Sequence, residues 1–206
     1  MRKNNFKGGR SLYNQALVII EEDKEDFNKA FLFKHMGELE MYCENNIYAR
    51  ECFQLAIRLS EQIGDDLSKT NTLLNLVDLE ITEKNTEIAR ETLKKVRILY
   101  KTIGVKQGEY NTLLYTAKLI LRLEQSPQEA LNHLLKAEAG FEAIGGREGV
   151  AEVGFYRAES YHQLQQPEKA LEHYQDASLL AEKLNIAPLN KLAKETAAII
   201  GIAESI

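Results

Sequence analysis

Between residues 167 and 184, PEKALEHYQDASLLAEKL, the apolar positions Ala170, Tyr174 and Ala177 fall four and then three residues apart, so they share one face of a helix. The same pattern of small, bulky and small residue recurs upstream at Ala130, Leu134 and Ala137, at Ala89, Leu93 and Val96, at Ala49, Phe53 and Ala56, and at Gly9, Tyr13 and Ala16. The first members are spaced by 40, 41, 40 and 40 residues, the mark of an internal repeat. A second register of small residues, Gly37, Val77, Ala117 and Ala158, runs twelve or thirteen residues ahead of each set. Each unit therefore reads as two helices.

Punctuation keeps the same period. Gly64, Gly104, Gly145 and Asn185 follow the apolar residues Ile63, Ile103, Ile144 and Leu184, and glycine and asparagine tolerate the left-handed backbone that ends many helices. These four are expected C-caps, whereas Glu22-Asp23-Lys24 lacks such a residue and predicts a less regular turn. Pro127 and Pro167 are placed to open second helices. The single thirteen-residue step is assigned to one extra loop residue, EQSP at 124–127 against QQP at 165–167.

Ala170, Tyr174 and Ala177, preceded by Ala158 and Tyr161, resemble a tetratricopeptide repeat in its longer variant of about forty residues. The resemblance covers nearly the whole chain and rests on packing residues. It implies an all-α fold, an α-solenoid of antiparallel helix pairs winding as a right-handed superhelix of about ten helices. The expected organisation is one domain over 1–206: a half repeat at 5–23, repeats at 24–63, 64–103, 104–144 and 145–184, and a terminal helix at 187–205. The small residues at 170 and 177 let the partner helix approach while the Tyr174 ring fills the wedge beside them. The half repeat leaves an apolar stripe of Tyr13, Ala16, Leu17 and Ile20 half covered, which points either to a larger protein or to a homodimer through the N-terminal helix. The terminal helix, with Ile199, Ile202 and Ile206, offers a second apolar contact surface.

Composition narrows the function classes. Three prolines, twelve glycines and no tryptophan suit a helical protein, and 44% hydrophobic residues can bury a sizeable core. The net charge of -5, with basic residues scattered among acidic ones, excludes a nucleic-acid partner. No apolar run approaches a membrane span or a secretory core, so no membrane partner is expected. Two cysteines, Cys43 and Cys52, outside any ligand spacing, suggest a reducing compartment and a cytoplasmic location.

Chemistry is sparse. GGREG at 145–149 imitates a phosphate loop, but it follows a helix rather than a strand and occupies the cap position of its sister repeats. His35, His133, His162 and His173 include no pair at helical ligand spacing with one another or with cysteine, so no metal and no cofactor is expected. His133 and His173 are repeat-equivalent, and His162 sits one turn after Glu159. Neither cysteine has a base in the sequence to activate it, and the carboxylates of GELEMYCE read as a solvated face. No enzyme is expected.

The resemblance implies a concave groove lined by the first helix of each pair. Counted from the small residues, its candidate peptide-binding residues are Asn71, Leu74, Asp78, Asn111, Leu114, Lys118, Phe155, Glu159 and His162, with Phe31, Lys34 and Glu38 at equivalent positions of the first repeat. The amides can bond a peptide backbone, and Leu114 and Phe155 can pack its side chains. The alternative is that several of these residues are core, since a shift of one position turns a side chain by about 100°. Glu38, Asp78 and Glu159 stand where a terminal-carboxylate clamp requires asparagine. The expected function is a non-catalytic scaffold for a protein or peptide partner. The rival is a ligand-sensing or dimerisation module of a larger bacterial signalling or transcription regulator.

Overall fold

A computed structural model describes residues 11–13, 15, 16, 18 and 26–202. The positions Gly9, Leu17, Ile20, the turn 22–24 and Ile206, which carried expectations above, lie outside the described residues. After helical residues at 11–13, 15, 16 and 18, nine α-helices follow: α1 (Asp26–Tyr42), α2 (Asn46–Gln62), α3 (Asp66–Thr82), α4 (Thr86–Ile103), α5 (Lys106–Leu119), α6 (Pro127–Ala143), α7 (Arg147–Gln163), α8 (Pro167–Leu184) and α9 (Ala187–Ile200). No strand occurs among the described residues. The fold is an all-α solenoid of helix pairs, and α1/α2, α3/α4, α5/α6 and α7/α8 are the pairs. The chain divides after Gly104 into two compact units.

In the first unit α1 packs on α2, α2 on α3, α3 on α4, and α1 also touches α3. Ala49 and Phe53 on α2 are buried with Leu79 of α3, and Cys52 is buried with Leu32 and Met36 of α1. Tyr13 and Ala16 lie against that second cluster, so the N-terminal helical residues cover α1 much as a second helix would. Gly37 is small for a reason: a Cβ there would meet the Phe53 ring at 2.5 Å.

In the second unit α5 packs on α6, α6 on α7, α7 on α8, and α9 rests on both α7 and α8. Ala151 and Phe155 of α7, Ala177 and Ala181 of α8 and Leu189 of α9 form one cluster, with Tyr174 beside Phe155 at 6.0 Å between ring centres. A Cβ on Gly154 would stand 2.8 Å from that of Ala177. This close approach is what the small residues on the two helices permit.

Gly64, Gly104, Gly145 and Asn185 all have left-handed φ, between 52° and 81°, as their spacing predicts. Pro127 and Pro167 open α6 and α8. The turns inside the pairs hold a feature that no glycine signals. Glu44, Lys84, Gln125 and Gln165 are also left-handed, with φ from 56° to 62°, and they too follow the period of 40, 41 and 40.

The extra residue of the third repeat is not in the loop. α5 runs into a π-helical turn, Ile120–Glu124, so the insertion widens the helix end. The amide of Ser126 bonds to the carbonyl of Ile120, six residues back, at 3.4 Å, whereas Asn45, Asn85 and Gln166 each reach the fifth residue back.

No helix among the described residues is long and apolar enough to cross a membrane.

Candidate functional site

Three of the expected binding residues are core. Leu74, Leu114 and Phe155 are buried at 5%, 1% and 0% exposure, so their side chains hold helix pairs together and present nothing to a ligand. The remaining six divide by register. Asn71, Asp78, Asn111, Lys118 and His162 are half-buried on first helices, while Glu159 is buried at 2%.

One polar contact recurs in both units between successive first helices. In the first unit Glu38 of α1 accepts a hydrogen bond from the Asn75 amide of α3 at 2.8 Å. In the second, the Lys118 ammonium of α5 lies 5.7 Å from the centre of the Tyr156 ring of α7. Glu38 and Lys118 each come one residue after the small residue of their repeat, and Asn75 and Tyr156 two residues before the next. This repeat position, held by His35, Asn75, Tyr115 and Tyr156, was missed at the sequence level although its spacing of 40, 40 and 41 makes it readable; Tyr156 is buried there, and the other three are half-buried.

Around Glu38 the face is aromatic and basic. His35 Nδ1 lies 2.7 Å from the carboxylate, Lys34 3.7 Å, and the exposed Phe31 ring packs edge-on to His35 with Lys34 over its face. Burial pushes the Glu38 carboxyl upward, but the hydrogen bonds from His35 and Asn75 and the nearby Lys34 charge hold it below its ordinary value. Asn71 already accepts the Tyr100 hydroxyl of α4 at 2.6 Å.

In the second unit Arg122, within the π turn, donates Nη2 to Glu159 Oε2 at 2.8 Å and lies over the Tyr156 ring, 5.9 Å from its centre. Burial raises the Glu159 carboxyl above its ordinary value against the pull of Arg122 and Lys118, and the Glu195 charge on α9 adds to the rise. Glu159, one turn before His162, is thus paired with Arg122, and α9 brings a second carboxylate, Glu195, near the same place. His173 stacks on Tyr161 at 5.1 Å, and burial together with the Arg157 charge keeps it below its ordinary pKa.

Other carboxylates are structural. Glu40, expected on a solvated face, is buried and accepts the Asn45 amide at 2.9 Å; Glu80 does the same with Asn85 at 2.8 Å and also binds Arg50. Each closes the turn inside its pair. Burial pushes the Cys52 thiol up to about 11, with the Glu40 and Glu51 charges adding to it, which leaves it a poor nucleophile. No group of three or more metal-binding side chains occurs among the described residues.

With this geometry in view, solved structures supply the comparison. A Rap protein complexed with competence and sporulation factor matches with a TM-score of 0.73 at 16% identity, over 89% of this chain and 51% of that one. This chain has a tetratricopeptide-like helical-repeat fold. Aspartyl phosphate phosphatase F from Bacillus subtilis resembles the repeat protein with a TM-score of 0.71 at 14% identity, over 94% and 50% of the two chains. A signal-transduction ATPase from Pyrococcus horikoshii with a tetratricopeptide repeat sensor matches at 0.54 and 20% identity, over 93% and 37%. The repeat protein spans about half the length of the first and second of these, and less of the third. No protein-family profile and no curated protein matches the sequence.

Proposed function

We propose that this chain is a non-catalytic scaffold that holds a peptide segment or partner protein on the exposed polar edges of its first helices. The observation that supports this most is that half-buried polar side chains recur at the period of the repeat on the first helices of each unit: Asn71, Asn75 and Asp78 in the first, Asn111, Tyr115, Lys118 and His162 in the second. Such a face supplies hydrogen bonds to a peptide backbone, with ring contacts from the exposed Phe31 in the first unit and the half-buried Tyr115 in the second. That a fold relative was crystallised with competence and sporulation factor agrees with this reading. The proposed contacts are Asp78 in the first unit, where Asn71 joins it by giving up Tyr100, and Asn111, Lys118 and His162 in the second.

Capture of partners from a native lysate, repeated with Asn111→Ala and Lys118→Ala together, tests it. The double variant keeps its melting temperature and loses the captured partner; unaltered capture removes this face from consideration.

A second reading, a sensing or dimerising module of a larger regulator, is favoured by the relative that carries a tetratricopeptide repeat sensor within a longer signalling ATPase. Light scattering over a concentration series tests self-association through the N-terminal helix, where Leu12 and Val18 are exposed.

A further inference from the structure

Helix α4 carries a charge pattern unlike that of its sisters. Arg90, Lys94, Arg97 and Lys101 are spaced by four, three and four residues, which places them in a strip about 60° wide and about 16 Å long on one face. Lys94, Arg97 and Lys101 are exposed, and Arg90 is half-buried. Arg97 and Lys101 have no carboxylate three or four residues away on either side, and Lys94, Arg97 and Lys101 enter no ion pair among the described residues. Ile98, 66% exposed, borders the strip.

The repeat itself provides the control. The equivalent residues are Arg50, Gln54, Ile57 and Glu61 on α2, Leu131, Leu135, Glu138 and Glu142 on α6, and Leu171, Gln175, Ser178 and Glu182 on α8. Packing of a second helix therefore does not call for cations here. Three sisters end this strip on glutamate, the least helpful charge for a helix C-terminus, and only α4 runs basic throughout.

We propose that the α4 strip is a docking surface for an acidic helical segment of a partner protein, separate from the first-helix face. Carboxylates at the same four-and-three spacing on an approaching helix meet the cations one for one, and Ile98 gives an apolar contact beside them. Phosphate backbones fit less well, because Glu87 and Glu91 flank the N-terminal half of the strip and the chain as a whole is negative. A bilayer fits less well because, among the described α4 residues three or four positions from the strip's cations, Ile98 is the one exposed aliphatic side chain.

The test titrates the full chain with a labelled synthetic helix bearing four glutamates at this spacing and one leucine, against a peptide of the same composition with its glutamates scrambled. The ordered peptide binds at least about fivefold more tightly than the scrambled one, and raising salt from about 50 to about 300 mM weakens it about tenfold. Lys94→Glu, Arg97→Glu and Lys101→Glu together abolish binding, and the milder triple glutamine variant, checked for unchanged helicity, weakens it about tenfold. Asn111→Ala with Lys118→Ala leaves it unchanged. Equal binding of the two peptides, retention by the glutamine variant, or tighter binding to vesicles with phosphatidylserine or to duplex DNA overturns the proposal.

Discussion

The Tyr100 hydroxyl donates to the Asn71 side chain at 2.6 Å, tying the second helix of a pair to a first-helix residue expected to meet a ligand. Asn71 is thus a contact already in use, and a partner must compete with the phenol for it.

The ring is buried, and burial pushes its pKa up to about 12. The folded protein keeps that proton when the unfolded chain has released it, so the contribution is whole below about pH 10 and is lost as pH rises through about 12. Tyr100→Phe is expected to cost about 1 kcal/mol at neutral pH, from the lost hydrogen bond. It should also flatten the fall in stability between about pH 10 and 12. Urea midpoints across that range check both.

Arg122 and Glu159 form an ion pair in the second unit whose carboxylate is buried. Arg122→Met strands a buried carboxylate, and because water still reaches part of the arginine the expected loss is about 2 kcal/mol at pH 7, below the full range for buried pairs. Glu159 has a raised pKa, so its burdened charged form is absent at low pH and grows in as pH rises through the folded value. The penalty of Arg122→Met therefore shrinks toward about pH 4, and Glu159→Gln in the same chain removes most of it. Denaturant titrations at the two pH values decide; a penalty independent of pH rejects the account.

Ala177 faces Gly154 across the α7/α8 contact with no room for a longer side chain. Ala177→Leu should lose about 1 to 3 kcal/mol through overpacking. Gly154→Ala should also destabilise, although alanine is the better helix former by about 1 kcal/mol. Thermal melts of the two variants give the answer, and a gain for Gly154→Ala would show that the helices can part without cost.

Lys84 is exposed and left-handed, at φ 62°. Glycine there relieves strain of roughly 1 to 2 kcal/mol while adding unfolded-state freedom, so Lys84→Gly should stabilise by about 0.5 kcal/mol. Gly104→Ala, at φ 81°, should destabilise. A matched pair of melting curves checks the opposite signs.

The repeat, its pairing and four of its helix ends were readable because small residues and glycines report close contacts and left-handed backbone directly. The turns at Glu44, Lys84, Gln125 and Gln165 were not, since nothing in those residue types announces such a conformation. Leu74, Leu114 and Phe155 illustrate the limit of counting positions on a helix: the first-helix residue three before the small residue is buried in these three repeats, whereas Lys34 of the first stays on the polar face. Glu40 and Glu80 could have been found, because each has asparagine five residues later at the same forty-residue interval. Arg122 could not, since its direction depends on a turn that departs from α-helical geometry.

That widened turn shows how a repetitive architecture can edit one address without rewriting the rest. Removing a single residue from Ile120–Glu124 would restore the parent spacing and swing Arg122 by about 100°, off Glu159. The neighbouring pairs would keep their own registers. One inserted residue has given this stack of near-copies a place where the copies cease to be interchangeable.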